Sequence, residues 1–266
     1  MKKIKTALIS VSDKKNLKSL LEALKKNKIK ILSSGGTYKI IKKLKFNCTE
    51  ISEFTGSKEI LGGRVKTLHP KIHAGILNKR KNKKHIQEIK ENNFENIDLV
   101  VVNFYPFQKT LKQTQNHDII IENIDVGGPT MARAAAKNYN DVTVITSIEQ
   151  YPKLISELKI NSGSTSLNFR KDMSRLAFTE TAYYDSLISN YFNEISNIKF
   201  PTTKILTGDL IEKLRYGGNP HKESAIYSND SDLKLDQIHG KQLSYNNYND
   251  IFAALNISKT LPSNIG

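Results

Sequence analysis

The segment from Leu61 to Pro70, LGGRVKTLHP, concentrates residue types that could bind an anion or move a proton. Two glycines free the backbone, and a guanidinium, an ammonium, a hydroxyl and an imidazole follow within a few positions. Arginine suits bidentate binding of phosphate, and lysine can act as a point charge or a proton donor. The segment therefore predicts a ligand loop, with a surface loop of incidental charges as the alternative.

Two further motifs directly follow β-branched runs: SVSDK, which begins at Ser10, and SSGGT, which begins at Ser33. Hydroxyls and exposed backbone amides at a helix N-terminus favour a phosphate. In open α/β sheets, ligands sit at the carboxyl ends of the strands. Each motif alone fits an ordinary capped turn better, but together on adjacent strands they make phosphate binding an equal alternative.

A third motif, IDVGGPTMARAAAK, places Asp125 before two glycines and Lys137 at the end of a small-residue helical pattern. A carboxylate and an ammonium that converge on one pocket could exchange protons with a substrate amide. The alternative is a charge favourable to the helix dipole and a surface lysine. The residues alone leave both interpretations open.

The histidines and the single cysteine carry little signal. His69 and His73 have metal-ligand spacing for one helix face, but Pro70 lies between them and no cysteine or acidic cluster completes a site. No metal site is therefore expected. Cys48 excludes an internal disulfide and is predicted to be a small core residue in a reducing compartment.

The elements that must position these motifs alternate between strands and helices over the first 150 residues, which is typical of a mostly parallel sheet covered by helices. Leucines at 17, 20, 21 and 24 predict a helix that Ser12 would cap and that Lys25 and Lys26 would end. The predicted strands are Lys5–Val11, Lys30–Ser33, Cys48–Ser52, Asp98–Asn103 and Val142–Thr146.

Beyond Pro152 the pattern is helical, with helices over Lys153–Leu158 and Asn168–Ile195. The long helix has an apolar stripe that is predicted to be core, formed by Met173, Leu176, Ala177, Ala182, Tyr183, Leu187 and Ile188. Residues 196–208 resemble a linker, and the polar, Asn-rich remainder shows little periodicity. The predicted domains are 1–199 and 200–266.

Composition limits the class of protein. The chain has 266 residues, 38% of them hydrophobic, and its apolar runs are too short to span a bilayer. These features predict a globular protein in the cytoplasm, without a membrane partner. The formal charge of +15 suits nucleic acid or anionic small substrates, but it also fits solvated lysine-rich faces, so a specific nucleic-acid partner is not expected.

Taken in order, seven motifs resemble the family of bifunctional enzymes that formylate aminoimidazole-carboxamide ribotide and then close the ring to inosine monophosphate, the PurH family. The motifs are SVSDK, SSGGT, LGGRVKTLHPKIHAGIL, NFYPF, IDVGGPTMARAAAKN, FTETAYYD and LRYGGNPHK. The resemblance implies a fold like methylglyoxal synthase, a doubly wound, mostly parallel sheet with helices on both faces, followed by helices and a truncated second domain. It also implies cyclohydrolase activity without a metal or redox cofactor.

The resemblance assigns functions to individual residues. Lys66, Tyr105, Asp125 and Lys137 match the catalytic residues of the family. The matching substrate-binding positions are Ser10, Ser12, Lys14, Ser34, Gly35, Gly36, Thr37, Arg64, Thr67, Asn103, Gly127 and Gly128. We expect Asp125 and Lys137 to handle protons, and Lys66 and Tyr105 to stabilise charge on the formyl oxygen.

The second activity of the family is not expected from this sequence alone. Arg215, Tyr216, Asn219 and His221 resemble the opening of the family's transformylase domain, whose catalytic Lys-His motif does not occur here. The sequence thus predicts no use of the co-substrate 10-formyltetrahydrofolate. The resemblance further implies a homodimer and a small-molecule ribotide substrate.

Three other classes of protein share part of this pattern. A regulatory domain of the kind found in carbamoyl-phosphate synthetase would bind a phosphate metabolite without needing Lys66, Asp125 and Lys137. A methylglyoxal synthase requires carboxylates at a triose phosphate and lacks the long LGGRVKTLHP match. Nucleic-acid binding depends on charge alone.

Overall fold

The computed structural model describes residues 1–228 and 235–262. The chain divides into two compact units, Met1–Phe192 and Asn193–Gly266. This division falls in the last turn of a long helix, a few residues before the predicted boundary between 199 and 200. Within the described ranges, no helix is both long enough and apolar enough to cross a membrane.

The first unit is built on a five-stranded sheet in which every strand pairs in parallel with its neighbours. Its strands are β2 (Thr6–Val11), β3 (Lys30–Ser33), β4 (Thr49–Glu50), β5 (Leu99–Asn103) and β6 (Thr143–Ile145). A separate antiparallel pair is formed by β1 (Lys2–Lys3) and β7 (Ser164–Thr165).

The strand order across the sheet is β4, β3, β2, β5, β6, so the direction of winding reverses between β2 and β5. Because parallel crossovers are right-handed, this reversal puts helices on both faces of the sheet. The helices are α1 (Leu17–Lys26), α2 (Gly35–Lys43), α3 (Ile51–Thr55), α4 (Pro70–Leu77), α5 (Lys83–Glu91), α6 (Phe107–Gln113), α7 (His117–Glu122), α8 (Gly127–Lys137), α9 (Tyr151–Ile160) and α10 (Leu167–Ile195). The predicted doubly wound α/β fold is confirmed.

The pattern of apolar and small residues explains how the helices pack on the sheet. The four predicted leucines of α1 are all buried, and Lys25 and Lys26 form its last turn. The apolar residues of β5 are buried on both faces of the sheet, as expected for a central parallel strand. The alanines of α8 let this helix approach β5 and β6 closely. Together these contacts place the carboxyl ends of β2 and β5 side by side.

Three local predictions are wrong. Asn16, with φ of 57°, precedes α1 instead of Ser12, because the Asn103 side chain holds the Ser12 backbone in the preceding turn. The predicted strand Cys48–Ser52 is only β4, since Ile51 already begins α3; a short apolar run does not distinguish the two structures. In α10, Ala182 is exposed and Tyr184 is buried instead.

In the second unit, the strands β8 (Asp209–Lys213) and β9 (Ala225–Ser228) pair antiparallel, with an irregularity between Leu210 and Glu212. The helix α11 (Tyr245–Thr260) begins with a capping box formed by Ser244 and Asn247. The Tyr248 hydroxyl donates a hydrogen bond of 2.6 Å to Glu212, which links α11 to β8. The sequence pattern predicted none of these three elements.

The close contact between α4 and the segment before β5 provides a test of packing. A Cβ added to Gly75 would lie 2.6 Å from the Glu95 carbonyl oxygen, which is backbone and cannot move away cheaply. We expect Gly75→Ala to lower the free energy of unfolding, measured in urea, by about 1–3 kcal/mol. Gly218→Ala is the control because, among the residues that the structure describes, only its own chain neighbours lie within 4 Å of an added Cβ. Equal stability of the two variants would contradict this packing.

Candidate active site

A cavity of about 650 Å³ opens at the carboxyl ends of β2 and β5, where the winding of the sheet reverses. Open α/β sheets bind ligands at this position. All the predicted site residues of the first unit line the cavity except Lys137. They are Ser10, Ser12, Lys14, Ser34, Gly35, Gly36, Thr37, Arg64, Lys66, Thr67, Asn103, Tyr105, Asp125, Gly127 and Gly128.

One end of the cavity is suited to an anion. Ser34 precedes α2 without capping it by its side chain, which leaves the first-turn backbone amides of α2 available. A Cβ added to Gly36 would lie 4.0 Å from Lys14 Cε, so the lysine side chain passes close to this helix start. Lys14 Nζ donates to the Ser12 carbonyl oxygen at 2.9 Å. We call Lys14 and the first turn of α2 the anion corner.

Two predicted substrate-binding residues instead hold this corner in place. The Thr37 hydroxyl accepts from the Val11 backbone N–H at 3.1 Å and donates to the Val11 carbonyl oxygen at 2.9 Å. The Asn103 side-chain oxygen accepts from the backbone N–H groups of Ser12 and Asp13. These contacts tie α2 and β5 to the end of β2, so Thr37 and Asn103 shape the corner through its backbone.

The loop from Leu61 to Thr67 forms the opposite wall. Leu61, Gly62 and Gly63 have φ values of 54°, 63° and 100°, a succession of left-handed residues that favours glycine. This turn directs the Lys66 side chain across the cavity. A Cβ added to Gly35 would lie 2.7 Å from Lys66 Nζ, so the ammonium approaches the backbone where α2 begins.

Two carboxylates that the sequence did not reveal also line the cavity. Glu59 forms an ion pair with Lys66, and Glu122 at the end of α7 forms one with Arg64. The Arg64 guanidinium holds the pKa of Glu122 below its usual range. Lys66 and Arg64 therefore already have counter-charges before any ligand binds.

Asp125 lies just before α8, and its carboxylate faces the cavity. One carboxylate oxygen accepts from the Gly128 backbone N–H at 2.8 Å. Burial raises the pKa of the Asp125 carboxyl, while hydrogen bonds from the backbones of Gly128 and Tyr105 lower it in part. A Cβ on Gly127 would lie 2.8 Å from the Thr67 hydroxyl oxygen, so the ligand loop meets α8 at this point.

The structure does not bring Lys137 and Asp125 together in this cavity, and a catalytic role for Lys137 stays a prediction. Asp125 lies before the N-terminal end of α8, and Lys137 is the last residue of this 11-residue helix. At 1.5 Å per residue the two ends are about 15 Å apart. Lys137 is exposed and does not line the cavity.

The histidines and the cysteine lie outside this set of cavity residues. His69 caps α4, where Nδ1 accepts from the Lys71 backbone N–H, and its Nε2 lies 3.2 Å from the Ser57 hydroxyl. Burial lowers the pKa of His73. Burial also raises the pKa of the Cys48 thiol to about 12, so this half-buried group stays protonated at neutral pH.

In the second unit, the residues that resemble a transformylase opening lie together in the loop between β8 and β9. The Arg215 guanidinium lies 4.7 Å from the centre of the Tyr216 ring. The Asn219 side-chain oxygen accepts from the His221 backbone N–H at 3.3 Å. Three of the four side chains are exposed, the exception being the half-buried Tyr216.

Two family models match the chain in succession. Residues 16–130 match the MGS-like domain, and residues 135–265 match the AICARFT/IMPCHase bienzyme. The first match contains most of the cavity residues, but Ser10, Val11, Ser12, Lys14 and Met131 lie outside it. The second begins inside α8 and includes α10.

Curated relatives extend over nearly the whole chain. The bifunctional purine biosynthesis protein PurH of Persephonella marina is 45% identical over 95% of this chain and 50% of its own length. The proteins of the same name from Rhizobium rhizogenes and Thermoanaerobacter sp. are 42% and 44% identical over 98% and 95% of this chain. The chain spans about half the length of these relatives.

A solved structure shares the fold. The structure titled "Crystal structure of ForH" superposes with a TM-score of 0.63 at 28% sequence identity, and it covers 71% of this chain and 99% of its own. The cavity, the two successive family matches and the curated relatives agree with one another. The chain belongs to the PurH family of bifunctional purine-biosynthesis proteins.

Proposed function

We propose that this chain is an inosine-monophosphate cyclohydrolase, which closes the ring of 5-formamidoimidazole-4-carboxamide ribotide with loss of water. The observation that carries the proposal is that one cavity combines the anion corner with the Asp125 carboxylate and the Lys66 ammonium. A phosphate sensor requires the anion corner alone. The additional acid–base groups favour a catalyst.

The charges of the cavity suggest where the ribotide phosphate binds. Arg64 and Lys66 each have a carboxylate partner, whereas Lys14 has none among the residues that the structure describes. The backbone amides of α2 add positive potential at the same place. The phosphate is therefore proposed to bind in the anion corner, with Lys66 beside it. The imidazole ring would then extend from there towards Asp125.

The proposed reaction begins when the carboxamide nitrogen attacks the formyl carbon. Asp125 takes a proton from this nitrogen as the carbon–nitrogen bond forms, and Lys66 and Tyr105 stabilise the negative charge on the formyl oxygen. The protonated Asp125 carboxyl gives this proton to the oxygen, which becomes a hydroxyl group. The formamido nitrogen then loses its own proton as it forms a double bond to the same carbon, and the hydroxyl leaves with a proton as water. The overall reaction is ribotide to inosine monophosphate plus water.

This sequence of steps does not require Lys137. A single carboxyl group acts first as base and then as acid, and a pKa raised above the ordinary aspartate range favours the second step. One carboxyl group thus performs both proton transfers that the sequence interpretation divided between Asp125 and Lys137. Because Lys137 is exposed, we expect its substitution to have little effect on these steps.

Lys14 provides a test of phosphate placement. We expect Lys14→Ala to weaken binding of the ribotide about 10- to 100-fold, because it removes a charged hydrogen-bond donor to the phosphate. Lys15→Ala is the control, since Lys15 is the exposed neighbour outside the cavity. Calorimetric titration measures both variants. Equal affinities of the two would contradict phosphate binding at this corner.

The proposed activity is tested by incubating the purified chain with the formamido ribotide and following inosine monophosphate by absorbance and chromatography. Product formation above the uncatalysed rate is expected. Tight binding of the ribotide without product would favour the non-catalytic, metabolite-binding alternative. The predicted absence of formyl transfer, the homodimer, the lack of a cofactor and the cytoplasmic location stay predictions.

A further inference from the structure

Tyr184, on the long helix α10, lies directly behind the cavity. Its hydroxyl accepts a hydrogen bond of 2.7 Å from the backbone N–H of Asp125 and lies 3.5 Å from the Asn123 carbonyl oxygen. Tyr184 is 5% exposed, so these contacts are shielded from water. The hydroxyl thus fixes the backbone of the turn that carries the Asp125 carboxylate.

The ring of Tyr184 also supports the other side of the cavity. It packs edge-on against Phe104 at 5.2 Å and against Phe107 at 6.2 Å between ring centres. Phe104 stands between two cavity residues, Asn103 and Tyr105. One side chain therefore contacts both chain segments that bring Asp125 and Tyr105 to the cavity.

We propose that Tyr184 is a positioning residue for Asp125, so that α10 is part of the catalytic apparatus. The MGS-like match ends at residue 130, and α10 belongs to the bienzyme match that follows. This helix, which lies outside the MGS-like match, thereby sets the geometry of the proposed base. This inference depends on the proposed cyclohydrolase function.

The test compares Tyr184→Phe with Tyr191→Phe. Tyr191 lies on the same helix, packs against the same Phe107 and forms a hydroxyl contact of 2.7 Å, but to His117, away from the cavity. Each variant removes one hydroxyl and keeps the buried ring. A general loss of stability should therefore affect both variants alike.

We expect Tyr184→Phe to lower kcat about tenfold and to change KM less than about twofold, because binding groups stay in place while the base shifts. Tyr191→Phe should keep the wild-type kcat. Hydrogen exchange of the Asp125 amide should accelerate in Tyr184→Phe alone. These results would support the inference.

Three outcomes would overturn the inference, and failure of the positioning role is distinguishable from failure of the proposed function. If the wild-type chain forms product and both variants have the same kcat, at comparable melting temperatures, only the positioning role of Tyr184 would be contradicted. Absence of product from the wild-type chain would contradict the proposed function and this inference together. A fall in kcat that matches an equal fall in Tyr191→Phe would also exclude a specific role for Tyr184.

Discussion

Replacing Asp125 by asparagine is expected to lower kcat by about 10²- to 10⁴-fold, the range that a positioned general base contributes. Asparagine keeps the size of the side chain and an oxygen that can accept from the Gly128 N–H, but it cannot take a proton from the carboxamide. KM should change little, because Asp125 is not among the groups proposed to bind the phosphate. Steady-state kinetics with the formamido ribotide measures both constants.

The pH dependence follows from the same carboxyl group. Burial raises the pKa of Asp125, and the base must be ionised to act, so kcat should fall as the pH drops through this raised pKa. The acid limb is therefore expected above the ordinary aspartate range, and it should disappear in Asp125→Asn. Asp118→Asn, an exposed change in the first turn of α7, is the control and should keep the wild-type profile. An unchanged limb in Asp125→Asn would exclude Asp125 as the base.

Replacing Lys66 by methionine is expected to lower kcat by about 10²- to 10³-fold, the cost of losing one donor to a developing oxyanion. Methionine preserves much of the length and apolar character of the side chain, so the change isolates the ammonium. Lys58→Met is the matched control, because Lys58 is exposed in the same segment and does not line the cavity. Single-turnover rates separate this chemical effect from binding. A Lys66→Met variant as fast as Lys58→Met would remove Lys66 from the mechanism.

The sequence predicts the main sheet well because its strands are short β-branched runs that alternate with helical patterns. Lys30–Ser33 matches β3 without error. β2 and β5 differ from their predictions by one residue at one end, and β6 by one residue at each end. The sequence pattern does not predict an element where contacts with the rest of the chain determine whether a segment becomes a strand or a helix. Ile51 is equally compatible with a strand and with α3, and Asn-rich α11 lacks the spacing that indicates a helix.

For the candidate site, the sequence identifies residues that lie near one another along the chain at strand ends. It does not identify Glu59, Glu122 or Tyr184, because only folding brings them to Lys66, Arg64 and Asp125. Tyr184 lies within the FTETAYYD motif, but the apolar stripe predicted for α10 contains its neighbour Tyr183 instead. Lys137 shows the opposite case. It lies in the same motif as Asp125, but the helix α8 separates the two residues in space.

The two family matches cover different parts of the proposed site in the first unit. The MGS-like match includes the first turn of α2, whose backbone amides line the cavity. The bienzyme match contributes α10, whose Tyr184 contacts the turn of Asp125. Both matches therefore contribute residues to the proposed site.

The most direct test is a single-turnover experiment with the purified chain in excess over the formamido ribotide. Because all the ribotide is then bound, the observed rate reports ring closure itself. We predict complete conversion to inosine monophosphate in one exponential phase, much faster than the uncatalysed reaction and about 10²- to 10⁴-fold slower in Asp125→Asn. Ribotide that stays bound to folded wild-type chain without conversion would contradict the proposed cyclohydrolase.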